Sequence, residues 1–251
     1  MLKAFNYMFK DNKFKQKAFV YFCFVLLANL FTQIGNVYAP IDRNTIAPIQ
    51  YYILGLLGAI TLFIPTGYGI SCTKALMEQN DNYILPLLNV KNCFVLGFKL
   101  MVSVIFMSIV FGLLYALLMI PIGILGAFLP SYAYMEIVAS ILSLLFILVI
   151  AIYSPAFCAI FAKKEWITTF FRFIRATKLI GKGIGQYFKG TALFIVAMII
   201  LGIINTIIIT LLVYTIIGAI IAALIISLIS SYTVFVFVYI VAKSIKPECI
   251  E

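Results

Sequence analysis

The chain has no histidine, and only 10% of its 251 residues are charged. Without histidine it lacks the commonest general base and the commonest metal ligand. With so few charges it cannot cover a water-facing surface, since soluble domains carry nearer a quarter. Its five cysteines show no metal-ligand spacing, and no disulfide is expected. The eight acids fall in loops, tails or interfacial segments. No charge therefore sits at the middle of an apolar run, and proton relays, ion-coupled transport and voltage sensing lack their usual groups. Glu78 and Asp81 lie three residues apart and read as a solvated linker. Gly181-Lys182-Gly183-Ile184-Gly185 lacks the spacing, the Ser or Thr and the preceding strand of a phosphate loop. Its glycines read instead as the place where a helix breaks and the chain turns back into the membrane. No catalytic residue, metal site or cofactor emerges, and the expectation is a protein that is not an enzyme.

What is present is apolar. Hydrophobic residues make up 65% of the chain, so lipid is its solvent. Five to seven spans of about 20 residues would fit. Apolar runs and their flanks give six, at about 18–35, 51–73, 97–120, 137–162, 191–213 and 217–242. Residues 1–17 form a basic segment suited to resting on the membrane surface, 74–93 and 163–189 are linkers, and 243–251 is a tail. The N-terminal run mimics a secretory signal but is long and followed by Pro40, so it reads as a retained first span. Pro86 prevents a continuous helix in the first linker. Pro121, Gly123, Gly126 and Pro130 are expected to end the third helix, and a tight turn is expected near Tyr214 to Gly218.

The net charge of +10 belongs to membrane orientation, not to nucleic acid, because the cations flank apolar runs. With the N-terminus inside, every Lys and Arg except Arg43 falls in a cytoplasmic segment. The outer loops hold Asp42 and Glu136. That asymmetry predicts a cytoplasmic membrane protein with both termini in the cytoplasm.

The second linker carries eight ionisable residues. On a helical projection Trp166, Ile167, Phe170, Phe173 and Ile174 share one side, with Arg172, Arg175, Lys182 and Lys189 opposite. Leu179 and Phe171 fall out of place. Two readings stand: a helix from Trp166 to about Ile180 lying in the interface, or a loop whose charges fix topology. On the first, Lys163, Lys164, Arg172, Arg175, Lys182 and Lys189 contact anionic headgroups.

Polar residues inside spans are few. Asn29 and Gln33 lie four apart on one helix face, Asn205 and Thr206 form a second group with Thr210, and Ser227, Ser230 and Ser231 a third. They serve either as contacts between helices or as a solute pathway. Pro65 precedes Lys74 by nine residues, and Pro155 precedes Lys164 by nine. Each proline is expected to kink its span about 13 Å from the end. Either the pair marks an internal repeat of two like-oriented hairpins, or it is coincidence.

Gly67-Tyr68-Gly69, then Leu85-Pro86, then Gly97-Phe98-Lys99 follow one another in a familiar order. The pattern resembles the prokaryotic membrane family catalogued as domain of unknown function (DUF) 4013. Ser154-Pro155-Ala156 and Gln186-Tyr187-Phe188 are similar to it as well. Phe98 stands where that family has Leu, and Asn89 and Lys91 where it has acids. The resemblance covers most of the chain and implies a multi-pass prokaryotic membrane protein without transferring an activity.

The sequence thus predicts an all-α integral membrane six-helix bundle, N-in/C-in, with cytoplasmic interfacial amphipathic helices. The leading function is non-enzymatic, either a small permease-like bundle or an accessory that organises lipids or envelope proteins. The alternative is a membrane-embedded enzyme or lipid-handling protein. Expected partners are membrane lipids with anionic headgroups, with a partner membrane protein or a second copy also compatible.

Overall fold

In lipid every backbone N–H and C=O must find its partner inside the chain, and a long apolar helix does this within one segment. The computed structural model follows that rule; it describes residues 11–39, 47–78, 85–128, 132–165, 168, 172–182, 184–212 and 215–244. Seven helices are described: α1 (Phe14–Val37), α2 (Ile49–Glu78), α3 (Val90–Phe128), α4 (Tyr132–Lys164), α5 (Phe173–Lys182), α6 (Ile184–Leu212) and α7 (Ile216–Ser244). All but α5 are long and apolar enough to cross a membrane. The chain is an all-α, multi-pass membrane protein.

Aromatic rings and small residues build the packed part from α1, α2, α3 and α7. Tyr21 of α1 lies 5.0 Å from Phe235 of α7 and 5.6 Å from Tyr68 of α2, centroid to centroid. Around them Val25, Ile64, Leu96 and Val238 are buried. Apolar matter alone gives no preference for protein over lipid, so small residues bring backbones close. Ala219, Ala222 and Ala223 of α7 are fully buried. Gly58 of α2 lies close against α1, where a Cβ would stand 2.7 Å from Thr32 Oγ1 and 3.3 Å from the Ala28 carbonyl oxygen. The outer stretches of α3 and α4 and most of α6 instead turn Leu, Ile and Val outward.

The chain departs from its sequence reading in three places. α3 does not stop at Pro121 but runs on to Phe128. Proline removes one helical bond, whereas leaving the helix in apolar surroundings would orphan several. Of the basic N-terminal segment residues 1–10 lie outside the described residues, and its described part is packed and partly helical, with Asp11 and Lys17 buried and α1 beginning at Phe14 rather than near Ala18. The basic linker is not one helix from Trp166: Glu165 and Arg172 are non-helical, and α5 begins at Phe173. Its buried residues include Ala176, Leu179 and Ile180, with Ile174 outward, so Leu179 belongs to the packed side.

Arg43, Asp42, Asp81, Pro130, Trp166, Ile167, Phe170, Phe171, Gly183 and Tyr214 lie outside the described residues.

Candidate functional site

The short motifs noted in the sequence meet in space. Gly67 of α2 and Gly97 of α3 cross with backbones in contact. A Cβ on Gly67 would fall 1.8 Å from the Cys93 carbonyl oxygen, and one on Gly97 1.8 Å from that of Phe63. Next to this crossing the Tyr68 hydroxyl donates to the Pro86 carbonyl at 3.0 Å. Pro86 cannot continue a helix, and residues 85–89 run non-helical into α3. Asn89 Oδ1 then accepts the Asn92 N–H at 3.2 Å, capping α3. Gly67-Tyr68, Leu85-Pro86 and Gly97 are thus one structural unit.

A buried ion pair locks the same linker to the start of α1. Lys17 Nζ stands 2.7 Å from Asp11 Oδ2, with both side chains under a tenth exposed. Lys17 also donates to the Leu85 carbonyl, while Leu85 N–H donates to Asp11 Oδ2 at 3.1 Å. Lys13 N–H donates to Asp11 Oδ1 at 2.9 Å. Burial raises the Asp11 carboxyl, but the Lys17 hydrogen bond and the Lys13 and Leu85 amides outweigh it and hold it below its ordinary value. The sequence reading missed this knot. A lone acid among five lysines was the available signal.

The second pair of motifs meets where α4 passes Pro155. Ala156 N–H donates to the Tyr187 hydroxyl at 3.2 Å, and that hydroxyl donates to the Ile152 carbonyl. Tyr187 so serves the rung beside the bond Pro155 cannot make. The 90-residue offset that carries Pro65 to Pro155 and Lys74 to Lys164 also carries Gly97 to Tyr187. Both Pro65 and Pro155 sit inside continuous helices.

At this end of the molecule Lys74 reaches Glu165 at 2.7 Å, tying α2 to the end of α4. Glu165 has a φ of 54°, the left-handed turn that ends α4, and its N–H donates to the Phe161 carbonyl at 2.7 Å. Lys74, Glu78, Lys91, Lys99 and Glu165 line a polar cleft of about 540 Å³. Just beyond, the charges of Arg175, Arg172 and Lys163 act on the Lys164 ammonium. Four of the six cations expected to contact lipid thus lie at the end of α4 and the start of α5. Lys182 closes α5, and Lys189 lies exposed in α6.

The polar residues within spans do not gather into one site. Asn29 Nδ2 donates to Ser227 Oγ at 2.9 Å, from α1 to α7. Gln33 is buried and accepts from Asn36 Nδ2 at 3.3 Å. Asn29 borders a cavity of about 280 Å³ with Tyr21, Pro65 and Cys158. Asn205 and Thr206 stand on α6, where Thr206 Oγ1 donates to the Gly202 carbonyl at 2.8 Å. Asn205 Oδ1 finds no partner among the described residues. A larger apolar cavity of about 500 Å³ lies between α3 and α4. At its end away from the α4–α5 elbow the Tyr115 and Ser143 hydroxyls are 2.7 Å apart.

No curated protein and no solved structure matches this chain. The family model described as "Protein of unknown function (DUF4013)" matches residues 52–214, well over half its length. That interval holds both motif clusters, from Gly67 to Tyr187. The chain belongs to the DUF4013 family.

Proposed function

We propose that this protein is a non-enzymatic accessory of a prokaryotic cytoplasmic membrane that gathers anionic lipid at the cytoplasmic leaflet. The observation that carries the reading is the elbow between α4 and α5, with Lys163 and Lys164 in the last turn of α4, Arg172 and Arg175 at the start of α5, and their charges acting on one another. Like charges held together call for anionic counter-charge, and a bilayer surface rich in anionic headgroups supplies it. The distribution of Lys and Arg along the chain supports placing this elbow, and both termini, in the cytoplasm. Lys182 and Lys189 follow in the sequence.

The polar side chains of the spans favour an accessory over a permease. A permease of this size would line one path with Asn29, Gln33 and Asn205. Asn29 is instead spent on Ser227 and Gln33 on Asn36, while Asn205 stands on a different helix.

The test extracts the protein with its surrounding lipid into polymer nanodiscs and measures headgroup composition. Enrichment of anionic phospholipid over the bulk membrane is expected. Replacing Lys163, Lys164, Arg172 and Arg175 by Gln should remove it. Equal composition in both proteins would sink the lipid role. Solute flux in proteoliposomes that exceeds protein-free vesicles and is lost in Asn29→Leu would install the permease reading instead.

A further inference from the structure

The cavity between α3 and α4 has a shape and a direction. Ser143, Ile150 and Phe157 line it from α4, each seven residues from the next. Seven residues return to almost the same helix face, drifting about 20°. The next step along that line is Lys164, about 10 Å beyond Phe157 at 1.5 Å per residue. The apolar wall thus leads to Lys164 at the end of α4, on whose ammonium the charges of Arg175, Arg172 and Lys163 act.

From α3 the cavity is lined between Val104 and Tyr115, about 16 Å of helix. Its lining is mainly apolar, and it runs toward the basic end of α4. An amphiphile with an acyl chain and an anionic head matches both the apolar wall and the charge at its end. The cavity's far-end polar atoms are also spent: Ser143 Oγ donates to the Ala139 carbonyl at 2.7 Å, leaving Tyr115 to donate to Ser143.

We propose that one anionic phospholipid is held along this line, an acyl chain between α3 and α4 and its phosphate at Lys164, Arg172 and Arg175. The site rests on the lipid role proposed above and adds a specific chain-binding groove to it. It converts a diffuse basic surface into a place for one lipid molecule, with a basic end and an apolar wall leading away from it.

Gly112 offers the test, because it lines the groove and a Cβ there would meet nothing within 4 Å. Gly112→Phe can fill the groove without striking the fold. Gly123→Phe, equally open but outside the groove, is the matched control. Detergent-purified protein is washed, mixed with phosphatidylglycerol and phosphatidylethanolamine, and weighed by native mass spectrometry. Wild type and Gly123→Phe should each keep one phosphatidylglycerol per chain. Gly112→Phe should keep about tenfold less, the loss expected from displacing two methylenes of buried chain. The triple change of Lys164, Arg172 and Arg175 to Gln should abolish the preference for phosphatidylglycerol. Equal retention by wild type and Gly112→Phe would overturn the groove while leaving the lipid role standing. An unchanged headgroup preference in the triple variant would overturn both. A wild-type dimer that Gly112→Phe splits would assign the groove to a second copy.

Discussion

Gly67 and Gly97 occupy each other's side-chain space. A methyl on Gly67 would lie 2.7 Å from the Gly97 nitrogen, and one on Gly97 3.0 Å from the Gly67 nitrogen. The contact is reciprocal, each glycine also facing the carbonyl four residues before the other, on Cys93 and Phe63. At this spacing Cα–H groups reach carbonyl oxygens, one of the few attractions that favour protein over lipid. The unit holds α2 against α3 where the linker returns, and so fixes where Tyr68 and Pro86 meet.

Either glycine changed to alanine should therefore push the helices apart. The obstructing atoms are backbone and cannot swing aside, so a loss of about 2–4 kcal/mol is expected for each variant. Gly69→Ala is the control, since its Cβ would find only ordinary contacts, Val234 Cγ1 at 3.5 Å and Val238 Cγ2 at 4.0 Å. Denaturant titration of the purified protein checks this. Alanine at 67 or 97 with wild-type stability would show that the crossing is not close-packed.

The two tyrosine hydroxyls should differ in worth. Tyr68→Phe removes one bond to Pro86, and about 1 kcal/mol is expected. Tyr187→Phe leaves both Ile152 and Ala156 without the hydroxyl in a buried stretch of α4, so about 2 kcal/mol is expected. The same titration orders them, and a larger loss for Tyr68→Phe would contradict the bridging role of Tyr187 beside Pro155.

Asp11 and Lys17 predict an acid-dependent step. The Asp11 carboxyl titrates below its ordinary 3.8 in the folded chain. Its contribution is therefore complete above the unfolded value and is lost as pH falls through the lower folded value. Asp11→Asn should flatten stability over that window. At neutral pH it leaves the Lys17 charge buried and unpaired, costing about 3–5 kcal/mol, and Asp11→Asn with Lys17→Met should recover much of this. Stability measured against pH for wild type and both variants decides it. A double variant no better than Asp11→Asn would mean the buried lysine charge is not the source of the loss.

The long helices were legible because uncharged runs of spanning length have few alternatives, and Pro86 marked a true interruption. Packing faces were not. In a water-soluble helix apolar periodicity points at the core, but here residues facing lipid and residues facing protein are equally apolar. Small residues carry that information instead: Gly67 and Ser71, and Cys93 and Gly97, are each four apart and flank the α2–α3 crossing. The Asp11–Lys17 knot joins residues that meet Leu85 from over 60 positions away, which no local pattern encodes. Pro121 misled for a related reason, since a rule learned in water overstates proline's power to end a helix in lipid.

Asn29 and Ser227 decide what a polar residue does inside this bundle. Asn29 Nδ2 donates to Ser227 Oγ, whose own hydrogen goes to the Ala223 carbonyl, so a chain of hydrogen bonds runs from α1 into the α7 backbone. If that chain is a contact between helices, its worth is a coupling energy, on average about 0.6 kcal/mol and at most about 1.7 in membrane bundles. A double-mutant cycle with Asn29→Leu and Ser227→Ala, read by denaturant titration, should return a coupling in that range. The four proteins should also hold the same lipid, because neither residue lies near the α4–α5 elbow in sequence or lines the α3–α4 groove. Zero coupling together with altered solute permeability would make Asn29 part of a pathway and reverse its assignment.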